Sequence, residues 1–144
     1  LNKYLSEFCQ LLKTQLKEGN MEYQISVDKE LGIINSISTG TWNVSDSDAV
    51  TNIITSLSRE EGITQVLIDH SELEINVTQA VAYNRPLELK SQFSNIYPRV
   101  AFVSPKNKHA LYKFFTLVAR NRGILFKAFK TYDEASEWLL SDNS

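Results

Sequence analysis

Residues 99–119 read RVAFVSPKNKHALYKFFTLVA, and residues 124–140 read ILFKAFKTYDEASEWLL. Each stretch opens with a short apolar run, turns polar, and then takes up helical periodicity. Residues 99–104 have the composition of a buried strand. Ser104-Pro105 reads as a helix N-cap followed by a proline at the first helical position, where its missing N–H costs nothing. Leu111, Phe114, Phe115 and Val118 then recur at the spacing of one helix face, and Gly123 ends the run. Residues 124–129 form a second apolar strand. Thr131, with Glu134 three residues on, makes a capping box ahead of Ala135, Trp138 and Leu139. Two strand–helix units in succession require parallel strands joined by helical crossovers.

The same alternation extends toward the N-terminus. Residues 65–69 form a short buried strand. Residues 76–95 are helical in composition, with Pro86 expected to break, kink or restart the helix. Ala49, Val50, Ile53, Ile54 and Leu57 mark an earlier helix, with Ser45 and Asp48 as its capping pair and Gly62 as its stop. Before it, Tyr23, Ile25 and Val27 alternate with polar residues, and Ile33, Ile34 and Ile37 follow a short polar link. This pattern predicts an antiparallel hairpin, followed by a loop over residues 39–43. At the start, Leu1, Leu5, Phe8, Leu12 and Leu16 recur at helical spacing with Cys9 alongside, which predicts a helix over residues 1–18 stopped by Gly19-Asn20. The predicted architecture is α/β: a mixed, mostly parallel five-stranded sheet opened by the hairpin, with four helices plus an N-terminal one. Residues 1–20 are an amphipathic extension, and residues 21–144 are the domain.

Composition narrows the function classes. The chain has 144 residues and one cysteine, so no internal disulfide forms and a reducing, cytoplasmic setting is expected. Lys3, Glu7 and Lys13 interrupt the leading apolar residues, which therefore do not read as a signal peptide, and no apolar stretch suffices for a transmembrane helix. Residues 85–130 hold ten Lys or Arg against the single acid Glu88, whereas residues 1–84 hold five bases against twelve acids. Such asymmetry fits either solvated helix faces or an anionic partner. Phe114 and Phe115 fall on the buried type of face, so base stacking, and with it nucleic-acid binding, is not expected.

The two quoted stretches resemble the STAS domain, and within it the SpoIIAA-like family of bacterial proteins. The carrying residues are Val100-Ala101-Phe102-Val103, the pair Phe114-Phe115, and Phe129, Glu134, Ala135, Trp138 and Leu139. The resemblance spans about residues 22–140 and implies a regulatory, non-enzymatic module like the anti-sigma-factor antagonists. It implies a regulatory protein or a small apolar ligand as partner. The apolar face of residues 1–18 is a candidate homodimer contact. Antagonists switched by phosphorylation carry an Asp-Ser-Ser-Gly-like turn after the third strand. The matching stretch here is Asn76-Val77-Thr78-Gln79, in which that motif is missing. Thr78 is therefore read as a helix cap and not as a required phosphosite.

Chemical motifs are sparse. Asp69, His70 and Ser71 in VLIDHS (residues 66–71) have the residue types of a nucleophilic triad, but neighbours in an extended chain point to alternate faces. His70 is read as a loop residue beyond a strand that ends at Asp69. The sequence holds no phosphate-cradling glycine loop, zinc spacing or nucleophile elbow, so no cofactor, metal or catalytic residue is assigned. Ligands of α/β sheets gather at the carboxyl ends of parallel strands, which marks Asp69, His70, Ser71, Ser104 and Lys106. Trp42, Thr78 and Arg85 join them as the face most suited to binding. The alternative reading is a small enzyme or anionic-ligand binder using Asp69, His70, Ser71 and Lys106 in one polar pocket.

Overall fold

A computed structural model describes residues 9–14, 20–93 and 95–141 of the chain. Along it run β1 (Cys9–Thr14), β2 (Met21–Asp28), β3 (Ile33–Thr41), α1 (Val44–Glu61), β4 (Gln65–Glu74), α2 (Gln79–Gln92), β5 (Arg99–Val103), α3 (His109–Asn121), β6 (Leu125–Phe129) and α4 (Tyr132–Leu140). The strands lie side by side in chain order in one sheet. β1–β2 and β2–β3 pair antiparallel, and every later pair is parallel. β2 to β6 are the five strands expected, in the expected order and sense.

β1 is a correction. The leucine spacing predicts a helix over residues 1–18, yet Cys9–Thr14 pairs with β2 from Cys9 opposite Asp28 to Thr14 opposite Tyr23. Helix propensity in a segment this short is weak, and the open backbone edge of β2 offers a full ladder instead. The rest of the predicted helix lies outside the described residues.

Local signals explain most boundaries. Gly32, at φ 71, turns the β2–β3 hairpin and donates its N–H to Asp28 O at 2.8 Å. The expected loop over residues 39–43 is largely strand, because β4 runs on to Glu74 and pairs with β3 as far as Thr41. Gly40 sits at φ 87 against the backbone oxygen of Asn20, which a Cβ would strike. α1 is capped by Asn43, not Ser45: the Asn43 side chain accepts the Asp46 N–H at 2.8 Å and donates to the Asp46 carboxylate at 2.7 Å. Pro86 lies within α2 and neither ends nor restarts it. Thr131 caps α4 as expected, accepting from Glu134 N.

The sheet separates two apolar layers. On one face Ile25, Val27, Ile34, Val66, Val100 and Phe126 meet Ile54 of α1, Leu89 of α2 and Ala119 of α3. On the other, Ile33, Leu67, Ala101 and Val103 meet Ala135 and Leu139 of α4. Fully burying each large side chain contributes about 1.5–3 kcal/mol, so the three-helix layer dominates the core. An apolar cleft lies under that layer, near the carboxyl ends of β4 and β5.

Candidate functional site

The stretch VLIDHS lies wholly inside β4, not at its end. Ile37 of β3 pairs with Asp69, but Thr39 pairs with Glu72, so β4 carries one extra residue here. The bulge places the Asp69 carboxylate 2.9 Å from the Ser71 N–H, which it accepts. His70 goes the other way, into the α2–α3 layer, and is buried rather than in a loop. Its Nδ1 lies 2.7 Å from the Tyr112 hydroxyl, and its ring meets Phe102 and Tyr112 edge-on. Burial lowers the His70 pKa to about 4 and raises that of Tyr112, so both are neutral at neutral pH. The Asp69–Ser71 link through backbone and the His70–Tyr112 bond together replace the hydrogen-bond line that a triad requires.

His70 and Tyr112 form the polar floor of a cleft whose walls include Trp42, Val81, Phe102 and Phe115. The cleft has a free volume of about 60 Å³. Metabolite pockets run to roughly 300 Å³ and more, so this cleft has the capacity of one short apolar side chain. Its rim is apolar too: Val81, on the first turn of α2, is 39% exposed. The walls are fastened to each other. Arg122 donates to Tyr83 O at 3.1 Å, with its guanidinium 4.6 Å from the Tyr83 ring, and Lys90 donates to Arg122 O at 3.2 Å.

Arg85 anchors the α1 side of the cleft. It is 6% exposed, and its guanidinium donates to Asp48 at 2.7 Å, Glu88 at 2.8 Å and Ser47 at 2.9 Å. The Trp42 ring centre lies 5.7 Å away, within cation–π range. Burial alone pushes the Asp48 carboxyl up, but hydrogen bonds from Gln92 and Arg85 and the guanidinium charge outweigh it and hold the pKa below its ordinary value. Arg85 thus ties α2 to α1, and Trp42 rests beside that tie.

The predicted residues divide. Trp42, His70 and Arg85 line the apolar cleft. Thr78 is the N-cap of α2, accepting the Val81 N–H at 3.3 Å. Ser71, Ser104 and Lys106 line a different, polar cleft beside Lys130 and His109. The single polar pocket joining Asp69, His70, Ser71 and Lys106 is therefore absent among the described residues, because His70 and Ser71, neighbours along β4, turn to different clefts. Ser104 is not a helix cap: α3 begins at His109, after a turn with Asn107 at φ 71. The Ser104 hydroxyl lies 2.8 Å from His109 Nδ1 and donates to Phe129 O at 3.2 Å.

Sequence reasoning missed Tyr112, Ser47 and Asp48. Tyr112 carried a signal: with Thr116 and Ala119 it forms the buried stripe of α3, one position round from the stripe drawn through Leu111, Phe114 and Phe115. Ser47 and Asp48 carried none, since their partner Arg85 stands 38 and 37 residues away. Among the described residues no three His, Cys, Asp or Glu side chains converge as a metal would require, and no helix is long and apolar enough to cross a membrane.

No family model matches the chain, and no curated protein is significantly similar to it. Among solved structures, it is similar to the anti-sigma factor antagonist SpoIIAA in its unphosphorylated form, at a TM-score of 0.49 and 10% identity over 90% of this chain and 96% of that one.

Proposed function

We propose that this chain is a regulatory binding module without catalysis of its own, and that the α2–α3 cleft docks a protein partner by taking one apolar side chain. The observation that carries this reading is the cleft itself: about 60 Å³, walled by apolar side chains, with an exposed apolar rim at Val81. A site of that capacity is small for a metabolite and suited to an anchor residue of a protein. The pairing of His70 with Tyr112 and of Arg85 with Asp48 and Glu88 supports the same reading, because it engages the polar groups that line the cleft. The resemblance of residues 99–119 and 124–140 to STAS domains agrees with a regulatory role in the bacterial cytoplasm. Thr78, engaged as a cap, acts without phosphorylation.

Native mass spectrometry of the full chain purified from its source tests the choice between protein and small ligand. The reading expects the bare chain mass. A stoichiometric small apolar adduct, lost when Ala82→Leu narrows the cleft, would replace protein docking with ligand carriage.

A further inference from the structure

We propose that the open edge of β6, with the lysines beside it, accepts an extended acidic segment of a partner protein as an added strand. Among the described residues β6 ends the sheet and is paired only with β5. In a parallel pair, alternate residues turn both N–H and C=O to the same side. Phe129 O accepts from Ser104 N at 2.9 Å, so Phe129 faces β5. Phe126 O accepts from Arg120 Nη1 at 2.9 Å, on the outer side. Arg120 therefore seals the first part of the edge, while Ala128, in phase with Phe126, turns its N–H and C=O to the outer side, where it lines a cleft.

The surroundings of that open part are basic. Lys113 of α3 with Lys127 and Lys130 borders a cleft of about 730 Å³ along β6. Lys106 and Lys130 border an adjoining cleft of about 720 Å³, and His109 is common to both. Among the described residues none of these four lysines has a carboxylate within 4.0 Å. Two of them act on one place: burial first, and then the charges of Lys130 and Lys113, lower the His109 pKa against the opposing charge of Glu134.

The charge pattern selects the occupant. Glu72, Glu134 and Glu137 line the same clefts. A nucleic acid or an anionic membrane presents negative charge continuously and meets those carboxylates. A peptide can set its acids against the lysines and neutral residues against the glutamates, and it alone can pair with the Ala128 backbone.

The test titrates the full-length, ¹⁵N-labelled chain with a synthetic peptide of alternating glutamate and valine. Vesicles of phosphatidylcholine with phosphatidylserine and a DNA duplex serve as comparators. Saturable shifts confined to Lys113 and residues 127–130 are expected, with slowed exchange of the Ala128 N–H at saturation. K113E/K130E, both exposed positions, should weaken binding about tenfold or more without lowering the melting temperature. No saturable binding, an unprotected Ala128 N–H in the saturated state, or tighter binding of vesicles or DNA through the same lysines would overturn the proposal.

Discussion

The Tyr112 hydroxyl lies 2.7 Å from Nδ1 of His70, and both side chains are buried at the floor of the α2–α3 cleft. This makes His70 a structural neutral base. Its folded pKa of about 4 stands below the ordinary 6.5, so between those values the unfolded chain binds a proton that the folded chain refuses. Stability from this group is full above about pH 6.5 and falls as the pH drops toward 4, by roughly 3 kcal/mol in all. Chemical denaturation across that range should show the decline. His70→Phe with Tyr112→Phe should flatten it, whereas His70→Phe alone should also cost about 1–3 kcal/mol for the orphaned Tyr112 hydroxyl. An unchanged slope in the double variant would remove His70 as the cause.

Arg85 is buried, while its carboxylate partners are partly open to water: the Asp48 side chain is 39% exposed and that of Glu88 54%. Removing the guanidinium therefore leaves acids that water can partly solvate. Arg85→Met should cost about 2 kcal/mol, at the low end for broken buried pairs. Arg85→Lys should recover little, since an ammonium cannot reproduce the three-way fork. Because the Asp48 pKa is depressed in the fold, the stability it contributes is present above its unfolded pKa and is lost as pH falls through the folded one. Urea midpoints of the two variants at neutral and acid pH check both statements.

Thr78 works as a cap, so Thr78→Ala should lower stability by about 1 kcal/mol, and Thr78→Ser should restore most of it. Mass spectrometry of protein from its source should find no phosphate on Thr78. Stoichiometric phosphate there would contradict the structural assignment.

Gly40 lies at φ 87 with the backbone oxygen of Asn20 where a Cβ would stand. Thr41 N donates to that same oxygen at 2.7 Å. Gly40→Ala should therefore cost more than the roughly 1 kcal/mol of positive-φ strain, because the Asn20–Thr41 contact must open as well. Thermal melting of the variant against Gly32→Ala, where a Cβ meets nothing within 4 Å, separates the two contributions.

How much of this was legible in the sequence follows from the range of each signal. The parallel strands and their helices were, because hydrophobic period and caps such as Thr78 and Thr131 act within a few residues. The length of β4 was not: residues 70–74 become strand because β3 lies beside them, and the bulge at Asp69–Glu72 is a property of that pairing. The separation of His70 from Ser71 was legible, since strand neighbours alternate faces, and it is why a string resembling an acid, a base and a nucleophile resolves into two unrelated environments. Trp42 and Arg85 line one cleft and Thr78 does not, and the link of Arg85 to Ser47 and Asp48 needed the packing of α1 on α2. The start of the chain misled for the complementary reason: helical leucine spacing was legible, and the open edge of β2 was not.

The α2–α3 cleft, as a docking site for a protein, is the centre of the proposed function. Its most direct test is a photocrosslinking amino acid placed at Val81 in the full chain, expressed in the source organism, with an equivalent substitution at Leu31 on the distant β2–β3 turn as control. One predominant protein adduct is expected at position 81, absent at position 31 and abolished by Ala82→Leu. Adducts equal at both positions, or none at position 81, would contradict it.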